Sequence, residues 1–439
     1  MPEVSPTTLH DILLGGERGI CLLGFSCRAL AEACVTVNLP VSAVDCFADQ
    51  DLCELTAQWQ LLEYWDPNLL LELISESHSQ NASQLATACE AVENPKSKAL
   101  MLLAGGTENW APWLEQLRDF APILGPDSKQ LQKLRDLEFW QDLARRVDGL
   151  NLPATAAKPE LAESRTAPAT SARWLRKSIS SSGGLGVRPA MAAELDASGG
   201  GDHYFQSEVR GRVLGACLIL PPTPQECELV GVTESWTERD WPGPSEFIYR
   251  GSFGPIPLSQ EQDRILLDLA ETVRQQIGLR GWLGVDFIED AGGNLWLLEL
   301  NPRWTAGMEI LARTGRNPVP AHLACFTPDL SYQSSQPQID APGADSQTQT
   351  CSLAAKAVVY AEREVRLGAQ EIAVLHKLPR RNFADIPRLP DDSPELVIEP
   401  GHPILTVRCD RQKLTNPREE LLLHLRHLHQ QLRDQIPGC

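Results

Sequence analysis

The first third of the chain alternates short apolar runs with amphipathic segments. The runs GICLLGF (19–25), PVSAVDCF (40–47) and KALMLLAGG (98–106) predict buried strands, and SCRALAEACVTV (26–37) predicts a helix that begins at a serine cap. The order strand, helix, strand indicates a parallel sheet that is covered by helices. The pattern therefore predicts an α/β domain, which we place at residues 1–125.

The middle of the chain changes pattern twice. Residues 128–149 are helix-rich, and residues 153–172 are rich in Ala, Pro, Thr and Ser, which is typical of a surface linker. Strands then predominate as far as about Phe326, with one amphipathic helix over residues 259–278. We expect a mixed region of strands and helices here.

A second polar stretch, residues 331–350, precedes a C-terminal unit. That unit contains strand-like runs and closes with an amphipathic helix around REELLLHLRHLHQQL. Besides the N-terminal domain, we therefore place a middle domain at residues 126–345 and a small β-rich unit at residues 346–439.

Residues 281–300, GWLGVDFIEDAGGNLWLLEL, have the pattern of a β-hairpin. Two apolar runs flank AGGN, and glycines accommodate the positive φ of a tight turn. If Gly292 and Gly293 form the turn, Asp286 lies opposite Glu299. Asn301 lies two residues beyond Glu299, so its side chain is expected on the same face.

Two carboxylates that face each other across a hairpin repel one another. A hard cation removes this repulsion, and Mg²⁺ binds one or two carboxylates together with substrate phosphates. We therefore predict that Asp286, Glu299 and Asn301 bind a metal ion. The alternative is a solvated outer face, which the flanking aromatic and leucine residues disfavour. Arg303 follows the strand-ending Pro302 and is suited to bidentate binding of phosphate or carboxylate.

The second candidate site is a glycine-rich loop in RWLRKSISSSGGLGVR (173–188). Small residues let backbone N–H groups approach an anion, so this loop is a candidate phosphate site, and Lys177 on the entering strand can reach the same phosphates. The spacing is not that of a P-loop, and a flexible hairpin is the alternative. The candidate loop residues are Ser181, Ser182, Gly183, Gly184 and Gly186.

Two further polar residues, Gln206 and Glu208, alternate with apolar neighbours in HYFQSEVRGRVLGACLIL (203–220). Their residue types suit hydrogen bonds to an adenine amino group or to ribose hydroxyls. Residue type alone does not decide between this role and a structural one.

Composition narrows the class of protein. The formal net charge of −19 disfavours a nucleic-acid binder, and no apolar run approaches the roughly 20 residues of a membrane span. The N-terminal residues have no evident signal peptide, and the 12 cysteines form no CxxC pair. We therefore expect a cytoplasmic enzyme with reduced thiols and without membrane or nucleic-acid partners.

Taken in order, the lysine-bearing strand before SSSGGLG, then YFQSEVRG, then GVDFIED and LWLLELNPR resemble the ATP-grasp superfamily. The N-terminal run LLGFSCRALAEACVTVNLPVSAVDCFADQDL and the C-terminal segments LPRRNFADIP and EPGHPILTV are similar to the group of predicted ATP-dependent ligases related to biotin carboxylase. The resemblance implies an α/β fold with a two-subdomain ATP-grasp core, and it implies ATP and Mg²⁺ or Mn²⁺ as cofactors.

The resemblance also implies roles for individual residues. Lys177 matches the lysine that binds ATP phosphates, the glycine loop matches the loop that closes on them, and Gln206 and Glu208 fall at the adenine-binding hinge. Arg303 matches the arginine that contacts phosphate or the reacting acyl group. The residues Asp286, Glu299 and Asn301 match the magnesium ligands.

Two positions depart from the family pattern. A second family lysine follows an aspartate in the preceding helical segment, and Leu137 stands there in this chain, with Lys129 or Lys133 as candidate replacements. Biotin carboxylase has a glutamate base shortly after Asn-Pro-Arg, and Glu309 is displaced from that position by about one residue.

The chain has no Met-Lys-Met biotin-attachment sequence. We therefore expect amide formation from a carboxylate and an amine, with a glutamate-like substrate in one-carbon cofactor synthesis as the associated example. The alternatives are an ATP-dependent carboxylase, a phosphotransferase and a non-catalytic nucleotide-binding regulator. The expected partners are small-molecule substrates, and a homodimer is one option for the assembly.

Overall fold

The computed structural model of the chain describes residues 19–62, 100–109, 111–156, 173–179, 183–191, 203–327, 353–391, 393–412 and 414–436. Of the predicted site residues, Ser181 and Ser182 lie outside these ranges, as does most of the predicted linker 153–172. No helix within the ranges is both long enough and apolar enough to cross a bilayer.

The N-terminal part forms a parallel sheet of four strands in the order β3-β2-β1-β4. Its apolar strands are buried because helices cover a parallel sheet on both faces. The sequence did not predict β3. The elements are Ile20–Leu23 (β1), Arg28–Val35 (α1), Val41–Asp45 (β2), Gln50–Leu55 (α2), Gln58–Leu61 (β3), Leu100–Leu103 (β4), a 3₁₀ turn at Thr107–Asn109, and Ala111–Phe120 (α3).

The predicted serine cap of α1 is wrong. The N-cap residue is Cys27, and no side chain caps the helix. The Cys27 N–H donates instead to Asp45 Oδ2 at 2.6 Å, and Asp45 Oδ1 accepts from the N–H groups of Phe47 and Ala48 at 2.7 Å each. A carboxylate at the end of β2 is a stronger acceptor than a serine hydroxyl, so it takes the free N–H groups of this edge.

The helix-rich segment that follows consists of two helices, Ser128–Leu134 (α4) and Leu137–Arg146 (α5). They are separate because each has its own aspartate cap. Asp127 accepts from Gln130 N at 2.7 Å, and Asp136 accepts from Glu138 N at 2.9 Å. Arg135 lies in the break between the two helices. A short strand, Leu150–Asn151 (β5), follows and pairs with the central sheet.

A small antiparallel sheet comes next, with strand order β6-β9-β7-β8. Lys177 on one strand is opposite Tyr204 on its neighbour, and Leu175 is opposite Gln206. Lys177 and Gln206 are therefore placed on adjacent strands. The strands are Thr155–Ala156 (β6), Trp174–Ser178 (β7), Arg188–Pro189 (β8) and His203–Ser207 (β9).

The central sheet has nine strands in the order β17-β19-β15-β12-β11-β10-β13-β14-β5, of which the C-terminal three are Leu353–Tyr360 (β15), Phe383–Ala384 (β17) and Pro403–Arg411 (β19). The segment 208–211 connects the small sheet to it. The elements up to the second polar stretch are Arg212–Leu220 (β10), Glu228–Ser235 (β11), Gly251–Gly254 (β12), Gln260–Ile277 (α6), Gly281–Glu289 (β13), Leu295–Asn301 (β14), Ala306–Arg313 (α7) and Val319–Ala324 (α8).

The two faces of the central sheet have different neighbours. On one face, Val285 and Phe287 pack in a core with Leu269 of α6. On the other face, Trp282 packs in a core with Met308 of α7 and residues of the N-terminal sheet. This second face positions the N-terminal domain next to the end of β14.

The C-terminal strands extend the same sheet, because β15 pairs antiparallel with β12. The predicted α/β class with a parallel N-terminal sheet is confirmed, and the domain boundaries stay predictions. The remaining elements are Leu353–Tyr360 (β15), Val365–Gly368 (β16), Ala369–Leu375 (α9), Phe383–Ala384 (β17), Glu395–Ile398 (β18), Pro403–Arg411 (β19) and Pro417–Gln435 (α10).

Candidate active site

The hairpin of β13 and β14 pairs Asp286 with Glu299, as predicted. The predicted turn is wrong. The loop has three residues, 291–293, because Asp290 Oδ1 accepts from the N–H groups of Gly292 and Asn294 at 2.8 and 3.0 Å, and of the two glycines only Gly293 has a positive φ, +80°. The pairing near the turn is shifted by one residue relative to the prediction.

A β-bulge corrects this shift. Phe287 pairs with Leu297 and Asp286 with Glu299, so Leu298 is the extra residue. Leu298 and Glu299 consequently both line the same cavity, although strict alternation would place them on opposite faces. Leu297 and Leu300 remain in the core under α6.

Asp286 and Glu299 line a cavity of about 730 Å³ between the small sheet and the central sheet. Burial, the largest cause, and the neighbouring Glu299 carboxylate together raise the pKa of Asp286 to about 7, against the opposing effect of Arg303, Lys177 and Arg135. The hairpin thus contains a carboxyl group that a positive charge would stabilise.

The two carboxylates have different partners. Glu299 Oε1 forms a close ion pair with Nη1 of Arg135, and Asp286 Oδ2 accepts a hydrogen bond of 2.9 Å from Asn301 Nδ2. Asn301 Oδ1 accepts one long hydrogen bond, of 3.4 Å, from Arg303 Nη2, which leaves its second lone pair for a metal ion. Two carboxylates and an amide oxygen on one cavity wall fit Mg²⁺, which completes its shell with water and phosphate oxygens. Asp286, Glu299 and Asn301 would therefore be the residues that hold it.

Arg303 lies on the same cavity wall and is held by a residue that the sequence analysis missed. Its Nε and Nη2 atoms donate to Glu108 Oε2 and Oε1 at 2.8 and 2.6 Å. Glu108 follows β4 of the N-terminal sheet, and the adjacent backbone bond from Trp304 N to Leu103 O, 3.1 Å, fixes the two segments together. The only indication of this role in the sequence is that Glu108 is a glutamate shortly after a predicted strand that ends in two glycines.

Lys177 enters the cavity from the small sheet. Its Nζ donates to Gln206 Oε1 at 2.7 Å, and Gln206 Nε2 donates to Thr155 Oγ1 at 3.1 Å. Burial lowers the pKa of Lys177, whereas Glu299 and Asp286 act in the opposite direction. Gln206 therefore lines the cavity and contacts the ammonium group of Lys177, and its contact with adenine stays a prediction. Glu208 also lines the cavity, with Arg173 Nη1 at 3.5 Å from its carboxylate.

The glycine loop folds against the segment 246–249 of the central region. Gly183, Gly184 and Gly186 all have positive φ, of +64°, +83° and +75°. Tyr249 N donates to Gly183 O at 3.0 Å, and a Cβ on Gly184 would lie 1.9 Å from Phe247 O. Gly183 and Gly184 line the cavity. The loop therefore needs glycine for both conformation and close approach.

The candidate replacements for the second lysine lie away from the cavity. Lys129 is exposed, and Lys133 forms an exposed ion pair with Asp136 at 2.6 Å. Arg135 instead lines the cavity, two residues before Leu137. Arg135 could not be predicted from the sequence as part of the site, because its position depends on the break between α4 and α5.

Glu309 faces away from the cavity into a cluster of cations. It is 2% exposed and lies 2.7 Å from Arg28 Nη1, 2.6 Å from Lys356 Nζ and 3.1 Å from Arg408 Nη1. Although burial opposes ionisation, these three cations hold the pKa of Glu309 well below its usual range. Glu309 thus joins α7 to the N-terminal domain and to the C-terminal strands.

Comparison with known proteins agrees with this geometry. Residues 138–307 match the model of an ATP-grasp domain. The chain is 47% identical over 47 residues to D-alanine–D-alanine ligase of Chromohalobacter salexigens, a match that covers 11% of this chain and 15% of that ligase. The aligned part is thus a small fraction of the relative's length.

Solved structures match nearly the whole chain. N5-carboxyaminoimidazole ribonucleotide synthetase from Thermus thermophilus aligns with a TM-score of 0.57 and 17% identity, over 96% of this chain and 99% of that one. The biotin carboxylase domain of the Hydrogenobacter thermophilus 2-oxoglutarate carboxylase aligns with a TM-score of 0.54 and 14% identity, over 90% and 86%. Residues 138–307 thus form an ATP-grasp domain, and the chain as a whole has a fold related to that of the biotin carboxylase domain and of N5-carboxyaminoimidazole ribonucleotide synthetase.

Proposed function

We propose that this protein is an ATP-dependent carboxylate–amine ligase that forms an amide and releases ADP and phosphate. The observation that carries the proposal is the convergence of two carboxylates, an amide and two cations on one cavity beside a glycine loop. The residues are Asp286, Glu299, Asn301, Lys177 and Arg303.

In the proposed reaction ATP lies between the glycine loop and the hairpin. The substrate carboxylate oxygen attacks the γ-phosphorus, and the bond between that phosphorus and the bridging oxygen of ADP breaks. Lys177 and Arg303 offset the negative charge that develops on the transferred group. Bound Mg²⁺ would neutralise phosphate charge at Asp286, Glu299 and Asn301.

The second step joins the two substrates. The amine nitrogen attacks the acyl carbon of the acylphosphate, the carbon–oxygen bond to phosphate breaks, and the nitrogen loses a proton. The glycine loop, held against residues 246–249, would exclude water and protect the acylphosphate from hydrolysis.

A glutamate-like carboxylate from one-carbon cofactor synthesis is the first substrate to test. The unpaired thiols of the described cysteines fit the cytoplasmic location predicted from sequence.

ATP-dependent carboxylation is the second candidate, because the fold likeness to N5-carboxyaminoimidazole ribonucleotide synthetase extends over 96% of this chain. Amide formation is favoured over it by the environment of Glu309. That carboxylate is 2% exposed and bound by three cations, so it does not face the cavity as a free base.

The test is a screen of carboxylates and amines in pairs, with ATP and Mg²⁺, that measures ADP release and product mass. We expect ADP release that requires both substrates and a product equal to their sum minus water. An oxygen-18 label in the carboxylate should move into phosphate. Glu299→Gln should lose this turnover, and Glu289→Gln, at the other end of the hairpin, should keep it.

Other outcomes would replace the proposal. Incorporation of labelled bicarbonate would favour carboxylation, and a stable product that carries one added phosphoryl group would favour a phosphotransferase. Nucleotide binding with no substrate-dependent ADP release across the screen would favour a regulatory protein.

A further inference from the structure

Arg135 occupies an unusual position in the cavity. It lies in the break between two capped helices, where its N–H donates to Gln132 O at 3.2 Å and the N–H of Asp136 donates to Lys133 O at 3.1 Å. Its side chain is 17% exposed. Since the backbone is fixed on both sides, the guanidinium can change partners only by rotation of its own side-chain bonds.

The guanidinium of Arg135 is only partly satisfied. Nη1 pairs with Glu299, whereas Nη2 lies 3.7 Å from Glu108 Oε1, beyond hydrogen-bond distance. Within the described part of the chain this buried Nη2 has no hydrogen-bond partner. An unused donor on a cavity wall costs free energy until a ligand accepts from it.

The charged side chains around the hairpin already face one another without any ligand. Three carboxylates face three cations, and the six residues are Glu108, Asp286, Glu299, Arg135, Lys177 and Arg303. A nucleoside triphosphate brings about four negative charges and one divalent ion brings two positive ones, so the loaded site needs cationic groups free to face phosphate. Arg303 is held by both oxygens of Glu108, whereas Arg135 has a single close partner.

We propose that Arg135 is the resident counter-ion of Glu299 and a phosphate-binding residue that changes partner when the metal–nucleotide complex binds. This inference rests on the proposed function of the site. The Arg135 guanidinium leaves the Glu299 carboxylate, which would then hold the divalent ion, and the planar group with its unused Nη2 donor turns to the phosphate oxygens. Guanidinium suits this exchange because it binds carboxylate and phosphate in the same bidentate manner.

If Arg135 changes partner in this way, Arg135→Met should have opposite effects on divalent-ion binding with and without nucleotide. Without nucleotide, Arg135 competes with a divalent ion for Glu299, so Arg135→Met should bind that ion more tightly. With nucleotide, the same variant lacks a phosphate contact and should bind the complex more weakly. A residue with only a structural role would weaken both, or change neither.

The experiment measures binding of Mn²⁺ to the full chain by the spin-resonance signal of the free ion, with and without ADP. For Arg135→Met we expect at least threefold tighter binding of Mn²⁺ alone and at least tenfold weaker binding of Mn²⁺ with ADP. Arg145→Met is the matched control, because Arg145 lies on the adjacent helix and its side chain is 68% exposed. This variant should bind Mn²⁺ as wild type does in both conditions. Unchanged or weaker binding of Mn²⁺ alone by Arg135→Met would overturn the inference.

A second variant separates this inference from the proposed function. Glu299→Gln removes the shared carboxylate and should weaken Mn²⁺ binding in both conditions. If Glu299→Gln binds Mn²⁺ with ADP as wild type does, the metal assignment of the proposed function fails. If Glu299→Gln weakens binding but Arg135→Met shows no opposite effects, only the exchange is wrong. Should Arg135→Met fail to fold, Arg135→Gln, which keeps polar donors but no charge, gives the same comparison.

Discussion

Arg303 donates two hydrogen bonds, of 2.8 and 2.6 Å, to Glu108, which lies 195 residues earlier in the chain. Burial opposes ionisation of Glu108, but Arg303 and Arg135 lower its pKa below the usual value. A carboxylate of the N-terminal domain therefore sets the orientation of an arginine at the end of β14. The position of Arg303 in the cavity depends on the contact between the two domains.

In Glu108→Gln, Arg303 should no longer be held in this orientation. An amide offers one oxygen to the guanidinium instead of two, and a misplacement of about 1 Å near the chemistry costs roughly 100-fold in rate. We expect a loss of that order in substrate-dependent ADP release and, since a buried pair is broken, a loss of roughly 3–5 kcal/mol in the free energy of unfolding.

Steady-state kinetics and urea unfolding measure these two effects. Glu115→Gln is the control, because Glu115 belongs to the same domain and accepts from Ser128 at the exposed surface. Wild-type kcat in Glu108→Gln, at any stability, would contradict the positioning role.

Asp286 should give the protein a measurable pH dependence in metal-free buffer. Its pKa is raised to about 7 by burial and by Glu299, whereas an unfolded aspartate titrates near 3.9. Between these values the folded state binds the extra proton, so stability is present at low pH and is lost as pH rises towards 7. Asp286→Asn, which is neutral throughout, should be more stable than wild type at pH 8, by about 2 kcal/mol after screening by cavity solvent, and should show little difference at pH 4.

Asp290→Asn is a control in the same hairpin, because the pKa of Asp290 is shifted in the opposite direction to that of Asp286. Although burial opposes it, hydrogen bonds from Asn294 and Trp296 lower the pKa of Asp290 to about 2. Its contribution is therefore present above about pH 4 and is lost as pH falls towards 2. Urea unfolding from pH 2 to 8 checks both variants, and parallel profiles for the two would contradict the assignment of Asp286.

These results show which parts of the site could be predicted from sequence. Asp286, Glu299 and Asn301 were found because short-range alternation and a turn place them together. Their pairing survived a wrong turn because the three-residue loop and the bulge at Leu298 compensate. Glu108 and Arg135 could not be found in this way, because their contacts join segments that are far apart in sequence and depend on how the domains pack.

The glycine loop provides a paired test of its own packing. Gly183 and Gly184 both have positive φ, but an added Cβ meets nothing within 4 Å at Gly183 and lies 1.9 Å from Phe247 O at Gly184. Gly183→Ala should lose only the roughly 1–2 kcal/mol of stability that an L-residue costs in the left-handed conformation. Gly184→Ala should also separate the loop from residues 246–249.

The expected result is ADP binding at least tenfold weaker in Gly184→Ala than in Gly183→Ala, which corresponds to about 1.4 kcal/mol. Isothermal titration calorimetry with ADP and Mg²⁺ measures the difference. Equal affinities in the two variants would show that the contact with Phe247 does not contribute to nucleotide binding.

Glu309→Gln tests whether that residue is structural or catalytic. The substitution leaves Arg28, Lys356 and Arg408 without their shared carboxylate, so we expect a loss of roughly 3–5 kcal/mol in the free energy of unfolding. Because the pKa of Glu309 is lowered, its contribution is present at neutral pH and is lost as pH falls, so wild type and variant should converge in acid.

Turnover per folded molecule should change little in Glu309→Gln, since the side chain does not face the cavity. The exposed pair of Glu364 with Arg366 supplies the control, Glu364→Gln, which should leave stability near wild type. A large loss of turnover without a loss of stability would support a catalytic base and hence carboxylation.

The bulge at Leu298 has a consequence for how this hairpin tolerates deletions. Because Leu298 is the one residue of β14 without a cross-strand partner between Leu297 and Glu299, its removal would leave a continuous ladder in which the aspartate and glutamate still meet. What would be lost is an apolar patch beside the acidic pair. The sequence thus encodes the acidic pair and the apolar contact beside it at separable positions, so the strand can change length at Leu298 without loss of the pair.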